Sequence, residues 1–469
     1  MTKPEAEVAV LGAGPAGCIA ARQLGLAGLD VILIDAVAEF ASHQIESFPA
    51  SGAPLLDDIG LLSLVCEVSD GPAAAMHMSW RETPELRSYE GDGPLLLRRE
   101  RMHNSLHTEA ARHVRVLPTR VRKVDEDRNN VLVVTDAGTI KCAMVVDARG
   151  RNAVKRPSTD IVALPFCAES AVASHRMWLN ALPCGWLWAS SLAAGQVYGA
   201  LFQQAAALAG ATPQMRLEYA RRQLAQTQVF PKPSSVSVGK PIAAGLSAVA
   251  DPIVSSRHIL IGDAALARDP IASHGLVHAI RSGVQAAVAV KTILDNDRTS
   301  DPAYAFLRHK HAETVAAARQ ATSRAYSDQS RYSGSFWELF KPLSENSKME
   351  MPSGGVLALA SPLTRAPVLD TDCIRWAPAL EMPAVNGFFT GQGSLTALDI
   401  AAACRPSASL PTIAERLIQA HPVRLVMDVL EHLLLNGAFV QTPLPVPSSA
   451  RARRTSQPSS SEDIRDNAS

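Results

Sequence analysis

A glycine-rich turn between two apolar segments constrains the fold of this chain more than any other feature. Glu7–Leu11 and Val31–Ile34 are mainly apolar, as parallel strands buried on both faces must be, and a helical stretch through about Ala27 separates them. This order predicts a strand, a tight turn, a helix and a second, parallel strand. It places the chain among α/β proteins with a Rossmann-type sheet.

The turn itself has a spacing that is typical of dinucleotide binding. It reads Gly12-Ala13-Gly14-Pro15-Ala16-Gly17, and Asp35 follows at the end of the second strand. Gly12 permits the sharp bend, Gly14 lets the backbone approach a pyrophosphate, and Gly17 allows the helix to pack on the strand. Amides at the helix start would hold the phosphates, and Asp35 would accept the hydroxyls of an adenosine ribose. The pattern predicts a dinucleotide site without separating NAD from FAD; a glycine-rich turn in an unrelated α/β protein is the alternative.

Composition excludes several other classes of protein. Among 469 residues, 47% are hydrophobic and 45 basic side chains balance 45 acidic ones, so bulk charge predicts neither a nucleic-acid nor a membrane-surface partner. The seven cysteines lack a C-x-x-C pair, so we expect no disulfide framework and no metal site. No apolar run reaches transmembrane length, and glycines interrupt the only candidate for a signal peptide. A cytoplasmic location is therefore expected.

Further strands and helices are predicted along the chain. Apolar stretches at 130–134, 143–146 and 258–261 predict strands, and the aromatic region 166–202 predicts part of a second sheet. Residues 301–340 are predicted to be helical, 341–365 to form loops, and 412–440 to form two amphipathic helices and a short strand. The Ser/Pro/Arg-rich residues 443–469 are predicted to be disordered.

A second motif lies far from the first and carries a family resemblance. Ile261-Gly262-Asp263-Ala264-Ala265 ends an apolar stretch, and Asp269-Pro270 precedes a helix that begins near Gly275. Here the chain resembles the FAD-dependent monooxygenases of the para-hydroxybenzoate hydroxylase type, and within them the tryptophan-halogenase-like branch. The resemblance implies that the cofactor is FAD. It also implies that Gly262 and Asp263 meet the ribityl chain, that Pro270 lies beside the isoalloxazine, and that Gly275 lies near its pyrimidine end.

Three shorter matches extend the resemblance. The stretch around Arg99 resembles the family's arginine-containing helix start, which implies that Arg99 pairs with the pyrophosphate and that the backbone of Val121 contacts adenine; the family's Asp and Phe-Asp are here Arg98 and Met102-His103. Gln44–Pro49 resembles the branch's G-E-S-L-P loop, which implies that Glu46 and Ser47 lie against the flavin.

A tryptophan pair supplies the third match. Gly185-Trp186-Leu187-Trp188 resembles the W-x-W element of flavin-dependent halogenases, although Ser190-Ser191 replaces the usual Ile-Pro. Alternation along a strand puts both rings on one face, where Trp186 and Trp188 would line an aromatic substrate pocket. Packing within the sheet is the alternative.

An absence favours oxygen chemistry over halogen chemistry. Flavin halogenases need a lysine in the first half of the FAD domain, yet this chain has none between Lys3 and Lys123. The resemblance then implies an FAD-dependent monooxygenase that transfers an oxygen atom from O2 to an electron-rich ring through a flavin C4a-hydroperoxide. His274 is the candidate proton acceptor, with capping of the following helix as its alternative role. Because no second dinucleotide motif occurs, we expect reduction by NAD(P)H in transient contact or by a separate flavin reductase.

The nearest resemblance concerns protein modification. The loop with Glu46 and Ser47, the segment 269–275, the Ser335-Phe336-Trp337 stretch and the C-terminal helix pair resemble halogenase-like flavoproteins that modify peptidyl tryptophan during tryptophylquinone maturation, such as those serving quinohemoprotein amine dehydrogenase. This implies hydroxylation of a protein-bound tryptophan. The alternatives are a small-molecule aromatic hydroxylase, a flavin-dependent halogenase, a geranylgeranyl-reductase-like enzyme, and an FAD-binding maturation chaperone.

The expected architecture is an FAD-binding domain with an inserted β-sheet substrate domain and a mainly helical C-terminal module. The predicted boundaries are 1–75, 95–160 and 245–300 for the FAD domain, 76–94, 161–244 and 301–345 for the substrate domain, 346–442 for the C-terminal module and 443–469 for the tail.

Overall fold

A computed structural model describes residues 5–36, 44–127, 129–153, 160–249, 253–295, 301–340, 356–385 and 387–442. The helices are α1 (Pro15–Leu26), α2 (Ala53–Asp58), α3 (Leu62–Val68), α4 (Arg99–Ala111), α5 (Pro213–Ala225), α6 (Gly275–Asp295), α7 (Asp301–Ser327), α8 (Ser335–Glu338), α9 (Ala397–Ala403), α10 (Leu410–Ile418) and α11 (Val423–Leu435). The predicted tail at 443–469 and most of the loop prediction at 341–365 lie outside the described residues.

The strands follow in chain order. They are β1 (Ala6–Leu11), β2 (Val31–Asp35), β3 (Ile45–Phe48), β4 (Ser69–Pro72), β5 (Ala75–Ser79), β6 (Glu85–Ser88), β7 (Leu95–Arg98), β8 (Arg115–Pro118), β9 (Val121–Glu126), β10 (Val131–Thr135), β11 (Gly138–Asp147), β12 (Ile161–Glu169), β13 (Arg176–Leu182), β14 (Gly185–Ser191), β15 (Gln196–Gln204), β16 (Ser235–Val238), β17 (Ile242–Ala243), β18 (Ser247–Ala248), β19 (His258–Leu260), β20 (Leu266–Ala267), β21 (Val356–Leu359), β22 (Thr364–Asp370), β23 (Cys373–Met382), β24 (Gly387–Phe389), β25 (Gly391–Gln392), β26 (Leu395–Thr396) and β27 (Phe439–Thr442).

The first sheet confirms the predicted βαβ opening. Its strand order is β8-β2-β1-β11-β10-β9, with β19 added beside β11. The strands β8, β2, β1, β11 and β19 run parallel, while β10 and β9 continue antiparallel. Val8, Val10 and Leu33 are fully buried because helices cover this part of the sheet. The fold class is α/β, as predicted.

The second sheet contains the aromatic region predicted from the sequence. Its order is β16-β12-β15-β14-β13-β5-β6, with β17 beside β12. The strands β5 and β6 come from residues 75–88 and join this sheet through a parallel pairing of β5 with β13. One face packs on α5, around Phe166, Trp178 and Phe230. The other face carries Trp186 and Phe202 and packs against α8 and the end of α7.

Two helices bring distant parts of the chain together. In α6, a Cβ on Gly283 would lie only 2.7 Å from the carbonyl oxygen of Ala16, so the absence of a side chain permits the close approach of α6 to α1. The start of α1 therefore packs against α6 near Gly283. No helix among the described residues has the length and apolar character needed to cross a membrane.

The C-terminal part differs from the expectation of a mainly helical module. The predicted helix pair and final short strand appear as α10, α11 and β27, but residues 356–396 contribute six strands. The strands β22 and β23 pack against α7 and α6, and the amide of Ile374 donates a 3.1 Å hydrogen bond to the Thr292 hydroxyl. Alternating residues such as Leu380 and Met382 face α9–α11, which the helical periodicity did not indicate.

Candidate cofactor site and active site

The three glycines of the opening turn have different surroundings. Gly12 has a φ of +91°, and a Cβ there would lie 2.8 Å from the Ala148 carbonyl oxygen. A Cβ on Gly17 would lie 1.9 Å from the carbonyl oxygen of Gly12, so no side chain fits. Around Gly14, by contrast, nothing lies within 4 Å of that position. Two glycines are therefore required by packing, while the third faces the open space that a closely bound phosphate group needs.

Asp35 stands at the edge of the sheet beside this turn. Its carboxylate accepts a 3.2 Å hydrogen bond from the Ala13 amide. Its strand pairs with β8, in register with Pro118, and Val121 follows three residues later at the start of β9. The residues predicted to meet ribose and adenine belong to different strands, but the short connection from Pro118 to Val121 keeps them close together.

His103 is a residue that the sequence reasoning passed over as a departure from the family pattern. It lies in α4 and is 7% exposed. Burial lowers its pKa to about 4, against the opposing effect of the Asp35 carboxylate. At neutral pH the imidazole is therefore uncharged, and it lies near the Asp35 carboxylate. Only the replacement of the family's Phe-Asp at this position could have drawn attention to it.

The loop at 44–49 and the start of α4 meet through strand pairing. Strand β3, which carries Glu46 and Ser47, runs antiparallel to β7, which ends directly before Arg99. The Arg99 Nη1 lies 3.3 Å from Glu46 Oε1 and 3.4 Å from Gln44 Oε1. After β3 the chain turns toward α6, since a Cβ on Gly52 would lie 3.0 Å from Val277.

The Gly262 turn lies against the start of α1. Gly262 has a φ of +54°, and a Cβ there would be 2.7 Å from the Cβ of Ala16. Its amide donates a 3.0 Å hydrogen bond to the Ser282 hydroxyl, which ties the turn to α6. Asp263 follows, with its carboxylate 3.7 Å from Arg151 Nε. The two distant motifs predicted from the sequence therefore lie side by side.

The segment 269–275 forms a short turn before α6. Asp269 is 2% exposed, Pro270 is exposed, and a Cβ on Gly275 would meet nothing within 4 Å. His274 is exposed, and its Nδ1 contacts the Ala272 carbonyl oxygen. This contact holds the imidazole against its own turn rather than against a helix amide. The catalytic role of His274 stays a prediction.

The tryptophan pair lies on one face of β14, as the alternation predicts, but the two rings differ in burial. Trp186 is 1% exposed and stacks on Phe202 with a centroid distance of 3.7 Å. Trp188 is half-buried at the border of the same cluster. Sheet packing accounts for Trp186 in this structure, and the pocket role of both residues stays a prediction.

A cavity of about 240 Å³ lies beside the aromatic cluster. Its apolar wall includes Trp80, Leu179 and Ile271, the last of which belongs to the turn after Pro270. Its rim carries Arg81 and Asp328, whose side chains form an ion pair at 2.5 Å and are about half exposed. Trp80, which the sequence reasoning missed because it stands alone outside any motif, is the tryptophan that lines this cavity.

Comparisons with known proteins support a flavoprotein fold. The family model described as lycopene cyclase protein matches residues 7–167, which is about a third of the chain. No curated protein has a sequence that matches significantly. Among solved structures, the peptidyl tryptophan dihydroxylase QhpG, described as essential for tryptophylquinone cofactor biogenesis, has a TM-score of 0.69 at 21% identity, covering 92% of this chain and 99% of its own.

Two other solved structures represent different chemistries on the same fold. CmlS, a flavin-dependent halogenase, has a TM-score of 0.75 at 17% identity and covers 94% of this chain and 96% of its own. A geranylgeranyl bacteriochlorophyll reductase-like protein from Thermoplasma acidophilum has a TM-score of 0.53 at 17% identity, covering 69% of this chain and 86% of its own. The chain thus has the fold of flavin-dependent hydroxylases and halogenases.

Proposed function

We propose that this protein is an FAD-dependent monooxygenase that hydroxylates the indole ring of a protein-bound tryptophan. The observation that carries the proposal is the position of the cavity, which has Ile271 in its wall and so directly adjoins the turn at Pro270. The fold, shared with QhpG over nearly the whole length of both chains, supports this choice.

The residues at the sheet edge suit FAD. Open space around Gly14 and Gly275 leaves room for a pyrophosphate at the start of α1 and for a ring system at the start of α6. We assign Gly12 to Gly17 and Arg99 to the pyrophosphate, Asp35 and Val121 to the adenosine, and Asp263 to the ribityl chain. Glu46, Ser47, Pro270 and Gly275 would then border the flavin ring. Reduced FAD supplies the activation of O2, which no protein side chain provides.

The proposed reaction balances with one external reductant. The indole carbon exchanges its hydrogen for one oxygen atom of O2, the second oxygen atom leaves as water, and NAD(P)H or a reduced flavin supplies two electrons. The chain positions the ring in the cavity, excludes water, and receives the proton that the ring releases. His274 is the candidate for that proton, because it is the histidine in the turn between Pro270 and Gly275.

The size and lining of the cavity favour one aromatic side chain over a large free substrate. Pockets that hold drug-sized ligands measure roughly 300–1,000 Å³, whereas this cavity measures about 240 Å³. An apolar interior with a charged rim of Arg81, Glu85 and Asp328 is the arrangement found where proteins meet proteins. A tryptophan presented by a polypeptide fits this combination.

The halogenase alternative draws support from the likeness to CmlS but lacks its chemical requirement. The segment before Lys123 that would have to supply the lysine has none after Lys3. The reductase alternative is supported only by the likeness of this chain's fold to that of the reductase-like protein. The chaperone alternative predicts FAD binding without turnover. All seven cysteines are free, which agrees with action in the cytoplasm.

The first experiment concerns the purified protein. We expect it to bind FAD and to consume O2 with NAD(P)H, directly or through an added flavin reductase, and to do so faster when a tryptophan-containing peptide is present. A protein that binds FAD but whose O2 consumption is the same with the peptide and with its phenylalanine analogue would favour the chaperone.

A further inference from the structure

A buried hydrogen-bond chain connects the second sheet to the turn at 269–275. The indole Nε1 of Trp186 donates to the Tyr326 hydroxyl at 3.1 Å. That hydroxyl donates to the Asp269 carboxylate, whose oxygens lie 3.3 and 3.4 Å away. Asp269 and Tyr326 are only 2% and 3% exposed. Three groups from β14, α7 and the turn before α6 are therefore joined without contact with bulk water.

The two groups that donate hydrogen bonds to Asp269 belong to a residue of the cavity wall or to the neighbour of one. Its Oδ1 accepts a 3.0 Å hydrogen bond from the amide of Ile271, which lines the cavity. Tyr326 directly follows Ala325, a second lining residue, whose carbonyl oxygen accepts a 2.9 Å hydrogen bond from the Trp80 indole. One carboxylate thus contacts a residue of the cavity wall, Ile271, and the neighbour of a second one, Ala325.

The groups around Asp269 shift the pKa of its carboxyl group in opposite directions. Burial raises its pKa to about 6, while the Ile271 amide, the Tyr326 hydroxyl and the charge of Arg151 act in the opposite direction. Arg151 is held by the carbonyl oxygens of Gly245 and Ala244 at 2.8 and 3.3 Å, so this charge is fixed in place. Burial and the Asp269 charge together raise the pKa of Tyr326 well above its usual value, so Tyr326 remains the donor.

We propose that Asp269 and Tyr326 are a positioning pair, in which a proton on Asp269 loosens the turn at 270–275 and a charge on Asp269 fixes it against the cavity. An ionised carboxylate accepts stronger hydrogen bonds than a protonated one, so ionisation tightens both the Ile271 and the Tyr326 contacts. The role in catalysis rests on the proposed function, since the turn would border the flavin. The titration and its effect on the turn do not depend on it.

The test follows the carboxyl group and the turn separately. Infrared difference spectra of the purified, FAD-loaded protein across the pH range on either side of about 6 should show a protonated carboxyl band that disappears as the pH rises. Asp269→Asn should remove this band. Tyr326→Phe should move its midpoint to higher pH, because the lost hydroxyl stabilises the charged form. Hydrogen exchange of the segment 270–275, corrected for intrinsic pH dependence, should slow as the band disappears and lose this response in Asp269→Asn.

Tyr219→Phe provides the matched control, because Tyr219 lies on α5 and packs on the other face of the second sheet. It should leave the midpoint and the exchange unchanged. The proposal would be overturned if the band persisted in Asp269→Asn. It would also be overturned if hydrogen exchange of segment 270–275 in the native protein did not change as the band disappears. Both measurements can be repeated on the apoprotein. A failure of FAD binding would therefore contradict the proposed function, while the role of Asp269 and Tyr326 could still be tested.

Discussion

Asp147 has no exposed surface and ends β11 beside the opening turn. Burial alone would raise its pKa, but hydrogen bonds from His258 and Arg149, with the charge of Arg149, lower it to about 2. The Arg149 Nη2 lies 2.6 Å from the carboxylate. Because the pKa is lower in the folded state, this group stabilises the fold above about pH 4, its unfolded value, and that stability is lost as the pH falls through about 2.

We therefore predict that the free energy of unfolding falls by about 2 kcal/mol between about pH 4 and pH 2 through Asp147 alone. Asp147→Asn should flatten this part of the profile, measured by denaturant unfolding at a series of pH values. Asp57→Asn, a surface change in α2, is the control. An unchanged slope in Asp147→Asn would show that the ion pair does not act as described.

Gly14 is the residue at which cofactor binding and packing can be separated. Its φ of −64° suits any residue, and nothing surrounds its Cβ position. Gly14→Val should thus fold normally and purify without FAD, because the side chain would occupy the space for the pyrophosphate. The measurement is the flavin content per chain beside the thermal unfolding midpoint.

Two other glycines control this prediction. Gly239→Val, at a position with only ordinary contacts to Pro165, should retain FAD. Gly17→Ala should lower the unfolding midpoint, because its Cβ would overlap a carbonyl oxygen. A yellow, fully loaded Gly14→Val protein would contradict the assignment of this turn.

The packing of α6 on α1 determines how the two halves of the site meet. Gly283→Ala should push the helices apart and cost about 1–3 kcal/mol of stability, as overpacking does in other cores. It should also weaken FAD binding, since the Gly262 turn is tied to both helices. Gln285→Ala, two residues along α6, should do neither. FAD affinity would be measured by flavin titration of the apoprotein. Equal affinity in both variants would show that the contact between α6 and α1 does not affect cofactor binding.

The elements that could be predicted from the sequence are those whose hydrophobic periodicity and turn residues lie within one short stretch of chain. The βαβ opening, the aromatic second sheet and the helix pair at 412–440 follow from such patterns and are present. Four strands of the C-terminal part were missed because they are only two to four residues long, and the longer pair, β22 and β23, was missed because its burial comes from partners far along the chain. Trp80 and Tyr326 could not be found for the same reason: their roles come from packing between α7 and the second sheet.

The cavity lies between the second sheet, the C-terminal end of α7 and the turn before α6, and filling it should separate substrate binding from cofactor binding. Leu179→Phe places a larger side chain, carried by β13, in the lining of the cavity. We predict normal FAD content, little change in the unfolding midpoint, and loss of the increase in O2 consumption that a tryptophan peptide produces. Leu132→Phe, at an exposed position on β10, is the control. Peptide stimulation that survives Leu179→Phe would place the substrate elsewhere.

Transfer of an oxygen atom to tryptophan can be measured directly. Cells of the source organism would be grown under isotopically labelled O2 with either the native protein or the Gly14→Val variant, and their tryptophan-containing peptides analysed by mass spectrometry. We predict that at least one peptide carries labelled oxygen on its indole ring only when the native protein is present. Identical peptides in both cultures, or a native-dependent gain of halogen or of two hydrogens, would contradict the account.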